Sequence, residues 1–170
     1  MRDTIRFLLG DEVRSIAGIS PTRTVLEWLR GEARACGTKE GCAEGDCGAC
    51  TVVLGEPAGE GMVWRAVNAC ILFLPALDGR QLLTVEHLRE ADGALHPVQR
   101  AMVAHHGSQC GFCTPGFVVS VAAFLDENPR PTDEEIREAL SGNLCRCTGY
   151  QGILRATRLA AERMASRQTA

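Results

Sequence analysis

The chain has 170 residues, of which 45% are hydrophobic, 23% are charged and only 5% are aromatic. That length suits one ordinary domain or two small ones, with a core made mainly of aliphatic side chains. The formal net charge is −3 and no run is rich in lysine and arginine, so we predict no nucleic-acid partner.

Short apolar runs between turn residues predict a strand-rich first half that contains one helix. The predicted strands cover residues 5–9, 13–16, 51–54, 63–67 and 82–85. Gly10-Asp11 is typical of a hairpin turn, and residues 56–61 are rich in glycine and proline. Ser20-Pro21-Thr22 is predicted to open the helix. We expect a small mixed sheet with this helix across it.

The second half has the pattern of four helices. They are predicted over residues 97–105, 114–128, 132–140 and about 153–160. Pro97 is well suited to a first helical residue, and Thr132 with Glu135 forms a capping box. The join between the halves is predicted near residues 86–93, and fraying is expected from Ala165 to the end of the chain.

No membrane span and no secretion signal are evident. The longest apolar run, residues 66–77, is interrupted by Asn68 and Pro75 and is too short to cross a bilayer. Residues 1–6 contain no apolar signal segment. We therefore predict a cytoplasmic protein. Disulfides are rare in that compartment and nine cysteines is an odd number, so metal binding is the favoured explanation of the cysteines.

The first set of cysteines has the spacing C-x4-C-x2-C with a distant fourth member: Cys42, Cys47, Cys50 and Cys70. This is the spacing of a plant-type [2Fe–2S] cluster. Three thiolates on so short a loop require a tight turn, for which Gly41, Gly45 and Gly48 supply a permissive backbone. A zinc site is the alternative, although zinc sites favour two short cysteine pairs.

The second set consists of two close pairs: Cys110, Cys113, Cys145 and Cys147. Two pairs suit a four-thiolate site, and on spacing alone zinc is a stronger alternative here than at the first set. Cys36 is left over, and we interpret it as an ordinary cysteine rather than a reactive thiol. Gln109 lies directly before Cys110, and on its chemistry alone it is an ordinary polar loop residue.

Motifs for substrate chemistry are missing from the sequence. There is no dinucleotide-binding or phosphate-binding glycine loop and no nucleophile elbow. Histidine can ligate iron in Rieske centres, but two full cysteine sets leave no vacancy for it. We therefore predict no catalytic residue on this chain.

Three segments resemble the cluster loops of the xanthine dehydrogenase (molybdenum hydroxylase) family, namely residues 37–52, 107–117 and 143–150. The resemblance runs in order from about residue 5 to 160. It implies an α+β fold, in which residues 1–86 form a β-grasp plant-type ferredoxin domain. Residues 87–170 would then form an all-α four-helix domain that binds the second [2Fe–2S] cluster.

The resemblance also implies a function and partners. Such a chain relays single electrons from a molybdopterin cofactor on a large partner subunit, through two [2Fe–2S] clusters, to FAD on a second partner subunit. Gln109 and Cys147 match positions that contact the molybdopterin in relatives. The sequence looks most like bacterial xanthine dehydrogenases, which oxidise xanthine and hypoxanthine. Oxidation of aldehydes, carbon monoxide or N-heterocycles is the alternative, and a zinc-stabilised interaction module is an alternative of a different class.

Overall fold

The computed structural model describes residues 3–90 and 92–168, with no side chains described at 167 and 168. The fold is mixed α/β, with a five-stranded sheet followed by a helical region. The strands are β1 (Thr4–Leu9), β2 (Glu12–Ala17), β3 (Thr51–Ala58), β4 (Gly61–Asn68) and β5 (Gln81–Leu83). The helices are α1 (Val25–Gly31), α2 (Pro97–Ala104), α3 (Thr114–Glu127), α4 (Asp133–Ala139) and α5 (Gln151–Gln168).

The strand order in the sheet is β2-β1-β5-β3-β4. The pair β1–β5 is parallel and the other neighbours are antiparallel. The predicted hairpin turn is confirmed, since Leu9 pairs with Glu12 across Gly10-Asp11. The second hairpin is tighter than predicted: Ala58 pairs with Gly61, so most of the predicted turn is strand.

Helix α1 begins later than its sequence signal predicted. Its N-cap is Thr24, whose side chain accepts a hydrogen bond from the Glu27 amide at 3.2 Å. The Glu27 carboxylate accepts one from the Thr24 amide at 2.8 Å. This capping box satisfies two amides that a helix start leaves unpaired, so the helix begins at Val25 rather than at residues 20–22.

The helical region follows the prediction in number and order of helices. The capping box of Thr132 and Glu135 is present at the start of α4. Helix α5 is longer than expected and continues to Gln168, so the predicted fraying is wrong for residues 165–168. Residues 169 and 170 lie outside the described part of the chain.

Two hydrophobic clusters form the interior. One lies between the sheet and α1, around Val25, Leu29 and Leu82. The other lies among α2 to α5, around Phe117 and Ile153. Helix α3 also packs on β3 and β4, which holds the helical region against the sheet. Over the described ranges, no helix has both the length and the apolar character needed to cross a membrane.

Candidate metal centres

Cys42 and Cys47 lie on an irregular loop whose backbone amides point at their sulfur atoms. The amides of Asp46 and Cys47 donate to Cys42 Sγ at 3.3 and 3.4 Å. The amide of Cys42 donates to Cys47 Sγ at 3.4 Å. These donors stabilise negative charge on sulfur, and hydrogen bonds from Glu44, Cys47 and Asp46 lower the pKa of Cys42 to about 6.

Strand pairing brings the other two cysteines of this set together. Cys50 directly precedes β3, and Cys70 follows β4 by two residues. Because Thr51 pairs with Asn68, the two buried thiols meet with a sulfur–sulfur distance of 3.3 Å. That is far longer than a disulfide bond of about 2.05 Å, and both thiols are free. Burial raises the pKa of Cys50 to about 12.

The glycines of this loop act differently from one another. Gly45 adopts a left-handed φ of +83°, as the predicted tight turn requires. Gly41 supplies space instead, since a Cβ there would lie 2.7 Å from Cys47 Sγ. Ala43 is also left-handed, with φ of +58°, which the sequence did not signal. Side-chain-free backbone therefore faces the sulfur atoms of the loop.

The second set forms around the N-terminus of α3 and the loop before α5. Cys113 is the N-cap of α3, and Cys145 is near enough to it to affect the pKa of its thiol. Burial, together with Cys145, raises the pKa of Cys113 to about 12. Cys110 is likewise near Cys147, and it raises the pKa of Cys147. Cys110 and Cys147 are exposed, whereas Cys145 is buried.

Thr148 and Tyr150, for which no role was predicted, support Cys145. Its amide donates to the Tyr150 hydroxyl at 2.9 Å. The Thr148 amide lies 3.4 Å from Cys145 Sγ, and the Thr148 hydroxyl lies 3.1 Å from it. Tyr150 in turn makes an edge-to-face ring contact with buried Phe117. Thr148 and Tyr150 belong to residues 143–150, one of the segments that resemble the family, and that resemblance could have pointed to them.

Gln109, Cys110 and Cys147 are all exposed, and we call these three residues the exposed patch. Gln109 is adjacent to Cys110 in the chain, and Cys110 is near enough to Cys147 to raise its pKa. Cys36 is separate from this patch, on the loop after α1, where its thiol lies 3.8 Å from the Arg30 carbonyl. Two histidines cap backbone turns: ring nitrogens of His87 and His96 accept from the amides of Thr84 and Val98.

The donor chemistry suits iron–sulfur clusters. Within residues 3–90 and 92–168, no three side chains among Cys, His, Asp and Glu are arranged to hold a metal ion together. The fit therefore rests on the donors themselves. Each set offers four free thiols, and soft thiolates are the ligands of iron–sulfur clusters. Amides aimed at sulfur provide the outer hydrogen bonds that tune such clusters.

Known proteins match both halves of the chain. The pattern of a family described as "[2Fe-2S] binding domain" matches residues 84–158. Nicotine 6-hydroxylase small subunit from Paenarthrobacter nicotinovorans is 46% identical over 143 residues, covering 84% of this chain and 81% of that protein. The crystal structure of quinoline 2-oxidoreductase from Pseudomonas putida 86 contains a chain that is 34% identical, with a TM-score of 0.81 and coverage of 97% and 96%. The chain belongs to the iron–sulfur subunit family of the molybdenum hydroxylases.

Members of this molybdenum hydroxylase family differ greatly in length. Xanthine dehydrogenase of Emericella nidulans is 46% identical over 154 residues, which cover 89% of this chain but only 11% of that protein. The chain thus spans about a tenth of such a relative and most of the separate small subunits. Within the family its role is electron transfer by a [2Fe–2S] protein.

Proposed function

We propose that this chain relays single electrons through two [2Fe–2S] clusters, from a molybdopterin cofactor on a large partner subunit to FAD on another. The observation that supports the proposal is that free cysteines lie close together in pairs: Cys42 with Cys47 and Cys50 with Cys70 beside the sheet, and Cys113 near Cys145 at the start of α3. One-electron uptake and release is the chemistry that a bound [2Fe–2S] cluster supplies.

The ligand assignment follows the two sets. We assign one cluster to Cys42, Cys47, Cys50 and Cys70, and the other to Cys110, Cys113, Cys145 and Cys147. Backbone amides stabilise negative charge at Cys42, while the raised pKa values of buried Cys50 and half-buried Cys113 favour the thiol, which a bound cation would convert to the thiolate. All nine thiols are free, which fits a reducing compartment, so the proposal places the complex in the cytoplasm.

The two sets define two proposed domains. Residues 1–86 would be a β-grasp ferredoxin-like domain, and residues 87–170 a helical domain with four helices. The separate hydrophobic clusters on either side of this boundary support the division. Val85 lies just before it and already packs against the helical cluster, so the boundary region belongs to both cores.

The exposed patch of Gln109, Cys110 and Cys147 is where we propose that the large subunit brings the molybdopterin. A partner can reach these side chains without rearrangement of the chain, since all three are exposed. Cys147 would touch the pterin while holding iron. The Gln109 amide would hydrogen-bond the pterin from the position next to a cluster ligand.

Metal analysis of the purified chain tests the cluster assignment. Two clusters require about four irons and four sulfides per chain and a red-brown colour. A value near two irons in fully loaded protein would contradict the two-cluster assignment. Zinc in place of half the iron would establish the zinc alternative for the second set, and a colourless zinc protein would establish the interaction module.

Xanthine or hypoxanthine is the substrate that we propose for the complete enzyme. Relatives named xanthine dehydrogenase support it at 46% identity. Oxidation of an N-heterocycle is the second candidate, because the nicotine 6-hydroxylase small subunit matches at the same identity over most of its own length. Reduction of the clusters in the assembled complex by xanthine, nicotine, quinoline or an aldehyde, each added alone, distinguishes these substrates.

A further inference from the structure

The two cysteine loops meet at a contact between distant parts of the chain. The amide of Leu144 donates to the Cys47 carbonyl at 3.0 Å. The side-chain amide of Asn143 donates to the Gly48 carbonyl at 3.0 Å, across a separation of 95 residues. Each hydrogen bond joins a residue at the first cysteine set to a residue just before Cys145.

The backbones approach closely at this contact. A Cβ on Gly48 would lie 2.4 Å from the Gly142 carbonyl oxygen and 2.5 Å from Asn143 Nδ2. A Cβ on Gly116 would lie 2.1 Å from the Gly48 carbonyl oxygen. Contacts under 3.0 Å are essentially never seen for real Cβ atoms, so glycine is required for the loops to lie this close.

Asn143 is the side chain that fixes the contact. It is 5% exposed, and its amide also lies 3.4 Å from the Thr51 hydroxyl. Thr51 donates to the Gly48 carbonyl through its own hydroxyl at 2.7 Å, so the first loop keeps a local hydrogen bond without Asn143. Asn143 adds a side-chain tie between that loop and the segment that leads to Cys145, beside the backbone hydrogen bond from Leu144 to Cys47.

We propose that Asn143 is a positioning residue for electron transfer between the two cysteine sets. This role rests on the proposed function. A short connection runs from Cys47 through its carbonyl to the Leu144 amide, and Leu144 is bonded to Cys145. One electron leaves a reduced cluster held by one set and reduces the oxidised cluster held by the other. No bond forms or breaks in the chain, and no proton moves. Asn143 keeps the connection closed by holding the neighbouring carbonyl of Gly48.

The test compares Asn143→Ala and Asn143→Leu in the full chain loaded with iron and sulfide. The leucine variant has the same branched skeleton with bulkier methyl groups and cannot donate hydrogen bonds, so it still fills the site if the alanine variant fails to fold. Thr157→Ala is the matched control, since Thr157 is also a buried polar residue of the helical region and donates to the Ile153 carbonyl within α5.

The readout is the magnetic interaction between the two reduced clusters, seen as splitting of their electron paramagnetic resonance signals at low temperature. Both Asn143 variants should lose the splitting while they keep the iron content of the wild type, and Thr157→Ala should retain it. Unchanged splitting in Asn143→Leu would overturn the inference and leave the proposed function intact. A wild-type chain that holds only one cluster would instead overturn the proposed function.

Discussion

Gly116→Ala should destabilise the protein by filling the space between the start of α3 and the first cysteine loop. The new Cβ would lie 2.1 Å from the Gly48 carbonyl oxygen and 3.2 Å from Ala49 Cα. Both neighbours are backbone, so neither can turn aside as a side chain would. We assign the upper end of the overpacking range, about 3 kcal/mol. Alanine in a helix recovers about 1 kcal/mol relative to glycine, which leaves a net loss of about 2 kcal/mol.

The assay is thermal unfolding followed by the visible absorbance of the clusters at a fixed scan rate. Cluster loss makes unfolding irreversible, so apparent transitions are compared only at that one rate. For a chain of this size, a loss of about 2 kcal/mol lowers the transition by about 4–8 °C. Gly142→Ala is the matched control, because a Cβ there would have no atom within 4 Å and the backbone of Gly142 is not in the left-handed region. If Gly116→Ala unfolded at the same temperature as the wild type, the close approach of the backbones at Gly116 and Gly48 would be refuted.

Variants at four further positions test individual residues. Cys36→Ser should leave the visible spectrum unchanged, because the Cys36 thiol lies outside both sets, whereas Cys47→Ser should remove the first cluster. Loss of visible absorbance in Cys36→Ser would show that the ligand assignment is wrong. Thr132→Ala should lower the free energy of unfolding by about 1 kcal/mol because the α4 cap is lost, and Thr132→Ser should restore it. Equal unfolding temperatures for the two variants would argue against the cap. Gln109→Ala should slow reduction of the clusters by substrate in the complete complex but not by dithionite, in rapid-mixing absorbance. Equal substrate-driven rates would remove Gln109 from the site.

Local features of the sequence predicted most of the secondary structure. The turn at Gly10-Asp11 and the capping box of Thr132 with Glu135 depend on residues close in the chain, and both were confirmed. The start of α1 was placed too early because a nearer capping residue, Thr24, competes with the proline-containing turn before it. Element boundaries depend on such competition, which residue types alone do not resolve.

The candidate site, too, was predictable from local features of the sequence in some respects and not in others. Cysteine spacing alone predicted two four-thiol sets, because ligand chemistry restricts which residues can bind iron and how far apart they lie. It gave no role to Thr148 or Tyr150, whose importance depends on contacts with Cys145. The sequence predicted that the glycines of the first loop supply both a permissive backbone and room for close approach, and only the structure separates the two: Gly45 is left-handed, whereas Gly41 is needed for space.

By itself, then, the sequence determined the family and the order of the elements, and it predicted thiolate-based metal binding. Only the tertiary structure decided that β5 pairs in parallel with β1, and that the Gly48 carbonyl meets Asn143. Those partners are more than 70 residues apart in the chain. The pairing of β1 with β5 depends on the core between the sheet and α1, and the contact of Gly48 with Asn143 depends on how the two cores pack together. The periodicity of a single segment carries no information about either.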